Sequence, residues 1–183
     1  MDRVADAMLR LMLLRHAKSS STDPERDDRD RPLSGRGANA ATAMGAFMRK
    51  KRLIPDVVLC SPARRAGDTW KLVAKTLKAA PKLILDDALY DFGDGGRLLD
   101  SLRQKSDDAK CVLLIGHNPS VERLTLRLIG KGDRSLKKRI AKKYPTGALA
   151  VLEFKAADWK TIKDADGHLV SFTRPQDVVP SEK

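Results

Sequence analysis

The sequence predicts an α/β fold, a single three-layer domain with a mostly parallel central sheet and helices on both faces. Short apolar runs of strand length alternate along the chain with segments whose apolar residues recur every three or four positions, as in amphipathic helices. Such alternation is typical of a sheet that helices cover on both sides. The 183 residues suit one domain, and a hydrophobic share of 42% suffices for its core.

Five apolar runs have the length and composition of strands, and they are Leu9–Leu14, Val57–Cys60, Lys82–Leu85, Cys111–Ile115 and Ala148–Phe154. Five segments have helical spacing, and they cover about residues 37–50, 64–78, 95–105, 120–129 and 135–143. One face of the first helix carries Ala40, Ala43, Met44 and Phe47, and one face of the second carries Trp70, Val73, Ala74 and Leu77. His168 is expected in a strand that follows a turn.

The folded domain is predicted to span residues 8–174. Residues 1–7, ahead of a possible alternative start at Met8, and residues 175–183 are expected to be flexible tails. The segment "STDPERDDRDRP", residues 21–32, is polar with alternating charges, so we expect it to be an exposed, mobile loop.

The charge balance of 36 basic against 24 acidic residues, a net +12, favours acidic or phosphorylated partners. An aromatic share of 4% argues against a stacking platform for single-stranded nucleic acid. No run approaches the roughly 18 apolar residues of a membrane span, and the amino terminus does not resemble a signal peptide. We therefore expect a cytoplasmic protein without nucleic-acid or membrane partners, and the oligomeric state stays open. The two cysteines lie in apolar runs and predict neither a disulfide framework nor a zinc site.

Three polar clusters immediately follow predicted strands. Arg15 and His16 follow the first strand in "LRHAKS", while "CSPARRAGDT" and "IGHNPS" begin at the ends of the second and fourth. Ligands of parallel sheets bind at the carboxyl ends of strands, so we expect the three clusters on one rim. Arginine forks match phosphate oxygens, neutral imidazole can attack phosphorus, and helix amino termini add N–H donors. The clusters therefore predict a site that holds and transfers a phosphoryl group.

These motifs resemble those of the histidine phosphatase superfamily, the phosphoglycerate-mutase-like fold. "LMLLRHAKS" resembles its Arg-His-Gly signature, with Ala17 in place of the glycine. "SPARRAGDT" resembles its second arginine motif, "GHNPS" its second histidine motif, and "RPLSGRG" the stretch that opens its first helix. "YPTGALAVLEF" resembles the late strand of the small SixA-type phosphohistidine phosphatases. The resemblance covers about residues 9–154.

The resemblance implies a role for each matching residue. His16 would be the nucleophile that becomes phosphorylated, and His117 would donate to the phosphoryl group in the transition state. Arg15 and Arg65 would bind the phosphoryl oxygens, and the motif places the second arginine at Arg65, not at its neighbour Arg64. Cationic neighbours would help to keep His16 unprotonated near neutral pH. The resemblance implies no metal and no cofactor.

The general acid is the open point of this catalytic set. Larger relatives carry a glutamate shortly after the third strand, and the matching register in "LDDALYDFGDGG" offers Asp91. Asp86, Asp87 and Asp94 are substitutes, and an ordinary acidic loop is the alternative. Small phosphohistidine phosphatases resemble this chain in lacking that glutamate. Imidazole, with a pKa near ~6.5, can leave already protonated, whereas an alkoxide leaves far less readily without an acid.

We therefore expect a metal-independent phosphatase that forms a covalent phosphohistidine intermediate and acts on phosphohistidine in a protein. A small phosphomonoester is the alternative substrate, and a working Asp91 acid would favour it. A nucleic-acid-binding module is a third hypothesis, motivated by the net charge and by "KGDRSLKKRIAKK", residues 131–143. That basic run is either a solvated helix face or a docking surface for an acidic or phosphorylated partner.

Overall fold

The computed structural model describes residues 8–21, 25–106 and 108–179. These residues form one sheet in the strand order β3-β2-β4-β1-β6-β7-β5. The strands are β1 Met8–Arg15, β2 Val57–Cys60, β3 Lys82–Leu85, β4 Cys111–Gly116, β5 Ile129–Gly132, β6 Leu149–Lys155 and β7 Gly167–Thr173. The helices are α1 Gly35–Lys50, α2 Arg64–Leu77, α3 Gly96–Lys105, α4 Ser120–Leu128 and α5 Arg134–Lys142. The predicted α/β class is confirmed.

The sheet is mostly parallel, as predicted. The parallel pairings are β1–β4, β2–β3, β2–β4 and β5–β7, while β6 runs antiparallel to both of its neighbours, β1 and β7. In β1 the side chains of Leu11 and Leu13 belong to one core cluster, and those of Met12 and Leu14 belong to the other. Both faces of this strand are therefore covered, which explains why its sequence is continuously apolar rather than alternating.

Two strands, β5 and β7, lie outside the five apolar runs, and only β5 was not expected from the sequence. The β5 segment, "IGKG", has one buried apolar residue and lacks a strand pattern; it pairs with β7 at the edge of the sheet. A Cβ at Gly130 would lie 1.8 Å from the carbonyl oxygen of Ala165, so a glycine is required at this crossing. The β7 segment buries Gly167 and Leu169 in alternation and contains His168, whose place in a strand was expected.

The start of α1 lies against the segment that follows β1. Ser34 caps the helix, since its Oγ accepts from the backbone N–H of Gly37 at 3.1 Å. A Cβ at Gly37 would lie 2.0 Å from the backbone carbonyl oxygen of Lys18. This glycine therefore lets α1 approach the chain directly after His16, which gives a physical reason for the "LSGRG" pattern.

The chain ends lie partly outside the described residues. Residues 1–7 and 180–183, for which we expected flexible tails, are outside them, and the domain boundaries at 8 and 174 stay a prediction. Pro175–Asp177 forms a 3-10 turn, and Val178 packs against the core cluster between the sheet and α1–α2. Within the described ranges, no helix has the length and apolar character that a membrane crossing requires.

Candidate active site

The carboxyl ends of three neighbouring strands bring the polar clusters together. His16 follows β1, Ser61 follows β2 and His117 follows β4, and these strands are adjacent in the order β2-β4-β1. The imidazole centroids of His16 and His117 are 5.0 Å apart. A cavity of about 360 Å³ opens there, and its lining includes Arg15, His16, Asp28, Arg65, Phe92 and His117.

His16 presents its Nε2 nitrogen to this cavity. Its Nδ1 is 2.7 Å from the backbone carbonyl oxygen of Ala17, which can only accept a hydrogen bond. In the neutral ring the proton is therefore on Nδ1, and Nε2 keeps its lone pair. Burial, assisted by the cations of Arg65 and Arg15, lowers the pKa of His16 to about 4 even though the bond to Ala17 opposes the shift. The imidazole is therefore a neutral nucleophile at neutral pH.

Arg65 lies in the first turn of α2 and is 3% exposed. Its Nε is 3.3 Å from Nε2 of His16, and its Nη2 is 3.3 Å from Nδ1 of His117. Thr69 connects this turn to the nucleophile segment, because its Oγ1 donates to the carbonyl of Arg65 and accepts from the N–H of Ala17. Arg64 instead lies outside, where its half-exposed side chain pairs with Asp68 at 3.5 Å.

His117 is buried between the cavity and Ser61. Its Nε2 is 2.7 Å from Oγ of Ser61, and its Nδ1 is directed at Arg65. Burial is the largest cause that lowers the pKa of His117 to about 3, and His16 and Arg65 add to it. A hydroxyl can donate or accept, so Ser61 can support either neutral tautomer of His117. Arg65 can only donate, so in the structure Nδ1 of His117 accepts and the ring proton is on Nε2. The tautomer with the proton on Nδ1, which Ser61 also supports, would give His117 an N–H donor for an anion in the cavity.

Arg15 supplies the second guanidinium of the lining. Its Nη1 donates to the backbone carbonyl of Tyr144 at 2.8 Å, which holds the side chain beside the segment that follows α5. Burial lowers the pKa of this guanidinium from its ordinary value, yet arginine stays charged in proteins. The cavity therefore combines the guanidinium cations of Arg15 and Arg65, two neutral imidazoles and the unprotonated Nε2 of His16, and Lys18 and Arg31 add further positive charge to its lining.

Asp91 is the one predicted site residue that the structure does not bring to the cavity lining. Its Oδ2 accepts from Oγ of Ser120 at 2.7 Å and from the N–H of Gly93 at 3.1 Å, and Arg97 is 3.8 Å away. These contacts connect the loop after β3 to the first turn of α4. The carboxylate is thus engaged in fixing that loop.

Asp28 lines the cavity and was missed in the sequence. It begins the 3-10 turn Asp28–Asp30, and its Oδ2 accepts from Nη2 of Arg65 at 2.8 Å and from the hydroxyl of Tyr90 at 2.7 Å. Burial alone would raise its pKa, but the hydrogen bonds from Tyr90 and Arg65 outweigh burial and lower the pKa to about 2. No periodicity distinguishes Asp28 from the other acids of "PERDDRD", so no local signal could have identified it.

This arrangement defines a class of protein. The guanidinium groups of Arg15 and Arg65 and two imidazoles around a cavity suit an oxyanion, and a neutral imidazole with an unprotonated nitrogen suits covalent transfer of a phosphoryl group. In the parts of the chain that the structure describes, no group of three His, Cys, Asp or Glu side chains is placed to hold a metal ion. The site is that of a phosphoryl-transfer protein.

Comparison with known proteins agrees with that class. The family model of the histidine phosphatase superfamily (branch 1) matches residues 11–97. An uncharacterized protein of Mycobacterium tuberculosis is 33% identical over 165 residues, which cover 89% of this chain and 100% of the relative. An uncharacterized protein of Mycobacterium leprae is 31% identical over 167 residues, with 89% and 100% covered.

Two solved structures are similar over nearly their whole length. A proposed phosphohistidine phosphatase SixA from Nakamurella multipartitia has a TM-score of 0.79 and 28% identity, with 92% of this chain and 96% of that chain covered. A proposed SixA from Agrobacterium tumefaciens has a TM-score of 0.75 and 27% identity, with 91% and 98% covered. The chain belongs to the histidine phosphatase superfamily, in its SixA-type branch, as the sequence motifs predicted.

Proposed function

We propose that this protein is a metal-independent phosphatase that removes the phosphoryl group from phosphohistidine in a protein, through a phosphorylated His16. The observation that carries the proposal is the ionised state of Asp28, the one carboxylate among the described residues that line the cavity. Asp28 is held ionised by Arg65 and Tyr90, so it has no proton to give to a leaving group. Membership in the superfamily and likeness to proteins described as phosphohistidine phosphatases support the same assignment.

The ionised state of Asp28 selects the leaving group, because no carboxylic acid among the described residues of the lining can protonate it. An alkoxide is a poor leaving group unless an acid protonates it, and positioned acids typically contribute ~10²–10⁴-fold to the rate. Imidazole titrates near ~6.5, so a phosphohistidine whose distal nitrogen is protonated can release neutral imidazole without help. A cavity lined by an ionised carboxylate and neutral histidines therefore suits a phosphorus–nitrogen bond better than an alkyl phosphate.

In the first step the lone pair on Nε2 of His16 attacks phosphorus. The bond from phosphorus to the substrate nitrogen breaks, and its electron pair leaves with the substrate imidazole. Arg15 and Arg65 hold the phosphoryl oxygens. His117, in the tautomer protonated on Nδ1, donates a hydrogen bond to them, and its Nε2 accepts a hydrogen bond from the hydroxyl of Ser61. Stabilising developing charge with fixed donors is commonly the largest contribution to such a step.

In the second step water attacks the phosphoenzyme. Phosphorylation at Nε2 while Nδ1 keeps its proton makes His16 a cation, and the carbonyl of Ala17 stabilises that proton at 2.7 Å. When water attacks, the phosphorus–Nε2 bond breaks, its electron pair returns to the ring, and His16 is neutral again. The proton of the attacking water goes to the phosphate product or to solvent. The hydrogen bond to Ala17 thus keeps the proton on Nδ1, so that Nε2 can attack phosphorus in the first step and leave it as part of a neutral imidazole in the second.

The surroundings of the cavity fit a protein side chain. The ring of Phe92 lines the opening, is 48% exposed and offers an apolar surface to a flat leaving group. The exposed residues Arg134, Lys138 and Lys142 recur every fourth position on α5, so they share one face. Two residues after that helix, Tyr144 accepts a hydrogen bond from Arg15. This cationic face therefore lies close in sequence to the site and suits an acidic protein.

The two alternative functions that the sequence left open would require other features of the protein. A small phosphomonoester would need an acid, and the structure directs Asp91 to Ser120 and Gly93. A nucleic-acid-binding role would use the cationic face of α5 and would be recognised by binding that weakens steeply with salt.

The test is a substrate panel with trapping of the intermediate. A phosphohistidine protein, a phosphohistidine peptide and several alkyl phosphomonoesters are compared in the presence and absence of EDTA. We expect turnover of the phosphohistidine substrates, unaffected by EDTA, with an acid-labile and alkali-stable label on wild-type protein. His16→Ala should carry no label, whereas His168→Ala, which changes a histidine of β7, should be labelled like wild type. Turnover of the esters alone, or EDTA inhibition that a divalent metal reverses, would refute the proposal.

A further inference from the structure

The guanidinium of Arg65 has two hydrogen-bonding edges that face different groups. The edge made by Nε and Nη2 faces the histidines, at 3.3 Å from His16 and 3.3 Å from His117. The edge made by Nη1 and Nη2 faces Asp28, because Nη1 donates to its backbone carbonyl and Nη2 donates to its Oδ2 at 2.8 Å. Nη2 carries two hydrogens, one for each edge.

We propose that Asp28 is a positioning residue, which holds the guanidinium of Arg65 so that its Nε–Nη2 edge stays directed at the phosphoryl position between His16 and His117. The inference rests on the proposed function, because it assumes phosphoryl transfer to His16. Two acceptors on Asp28 match one edge of the planar fork, which fixes the plane as well as the place of the cation. Bidentate matching of the other edge to a phosphoryl group depends on that plane.

Asp28 is itself held in place. The hydroxyl of Tyr90 donates to its Oδ2 at 2.7 Å, and Nη1 of Arg31 donates to its Oδ1 at 3.1 Å. The 3-10 turn begins with a side-chain cap, since Oδ1 of Asp27 accepts from the backbone N–H of Arg29 at 2.8 Å. Arg65 is thus oriented by a carboxylate that Tyr90, on the segment after β3, and Arg31, at the end of the same turn, hold in place.

The same contacts could instead describe a carboxylate that occupies the anion site until substrate displaces it. The edges decide between these two interpretations. A phosphoryl group between His16 and His117 would use the Nε–Nη2 edge of Arg65, whereas Asp28 uses the adjacent Nη1–Nη2 edge, so both can be bound together with one hydrogen of Nη2 each. Asp28 then contributes to the rate by alignment, while its negative charge opposes the binding of a phosphoryl anion. Removal of Asp28 should therefore lower the rate without weakening anion binding.

The experiment compares Asp28→Ala, Asp28→Asn and the matched control Asp30→Asn. Asp30 lies in the same turn and carries the same charge, but it does not line the cavity. Single-turnover labelling of His16 with saturating phosphoramidate gives the rate, and titration with inorganic phosphate gives the dissociation constant. Nitrogen-15 NMR follows exchange with water of the Arg65 Nε–H, which the bond to His16 protects in the wild type.

We expect Asp28→Ala to lower the labelling rate by at least about tenfold, since small misplacements of catalytic groups are costly. The dissociation constant of phosphate should stay within about threefold or become tighter, because the repulsion is gone. Asp28→Asn keeps one side-chain acceptor and the backbone carbonyl, so it should recover much of the rate. The Arg65 Nε–H should exchange faster in Asp28→Ala, and Asp30→Asn should match the wild type throughout.

A higher rate in Asp28→Ala would overturn the proposal in favour of an occupying carboxylate. An equal loss of rate and of phosphate binding, with no recovery in Asp28→Asn, would also overturn it, because that pattern indicates collapse of the turn. Failure of the proposed function is distinguishable: wild-type His16 would carry no label, while the phosphate titration and the Arg65 Nε–H signal would still report on Asp28.

Discussion

Acidification to pH 5 should leave the nucleophile ready to react. With a pKa of about 4 for His16, about 90% of this imidazole is neutral at pH 5, against about 3% for an imidazole that titrates near 6.5. The physical cause is burial, followed by the cations of Arg65 and Arg15. The fraction of His16 that can attack phosphorus should therefore hardly change between pH 7.5 and pH 5.

The same shift should make the folded state less stable in acid. In the unfolded chain His16 becomes protonated near pH 6.5, but in the folded chain it does so only near pH 4. Between these pH values the unfolded state binds more protons, so the free energy of unfolding falls as the pH drops through this window. At pH 5 the loss for His16 is about 2 kcal/mol relative to pH 7.5. Below pH 4 both states are protonated, and this contribution stops growing.

Two measurements check these values. Long-range nitrogen-15 NMR of the imidazoles, in buffer without phosphate, should show the titration of His16 below pH 5. Urea unfolding at pH 7.5 and pH 5 should show that the wild type loses about 2 kcal/mol more than His16→Gln, which has no imidazole to protonate. A titration midpoint of His16 near 6.5, or equal losses in both proteins, would refute the role of burial in keeping the nucleophile neutral.

Three further predictions follow from the placement of the charged side chains. Arg65→Ala should lower the rate of His16 phosphorylation by about 10²-fold or more, as loss of a transition-state donor does, whereas Arg64→Ala on the surface should change it less than about twofold; the reverse order would contradict the site. Asp91→Asn should lower turnover of phosphohistidine by less than about tenfold, because its carboxylate fixes a loop; a larger loss, within the ~10²–10⁴ range of an acid, would make Asp91 that acid. Lys138→Glu combined with Lys142→Glu should raise KM for a phosphohistidine protein at low salt and leave phosphoramidate kinetics unchanged. Equal KM values for this variant and the wild type would indicate that the exposed face of α5 is only solvated.

Much of the site could be predicted because its signals are local. Arg15, His16 and His117 each follow an apolar run, and parallel strands bring their carboxyl ends to one edge. The structure brings His16 and His117 to a centroid distance of 5.0 Å although they are far apart in the chain. Arg65 could be separated from Arg64 by its place in the motif, and the first turn of α2 directs it inward.

The elements that were missed depend on contacts between distant segments. β5 has no strand pattern of its own, and its pairing with β7 depends on the close approach that Gly130 allows. Such an approach cannot be foreseen from a four-residue segment with two glycines, because nothing local favours an extended backbone there.

Asp91 and Asp28 show most clearly which features of the site depend on tertiary contacts. Register in the sequence favoured Asp91, and the fold directs that side chain to Ser120. Asp28 lies in a stretch where acids and bases alternate without a pattern, yet the path of this segment over the cavity joins it to Arg65 and Tyr90. Composition and spacing predicted the fold class and the three polar clusters that the structure brings together at one edge of the sheet. Which carboxylate belongs to that site depends on how loops cross in space, and short-range propensities carry no information about that.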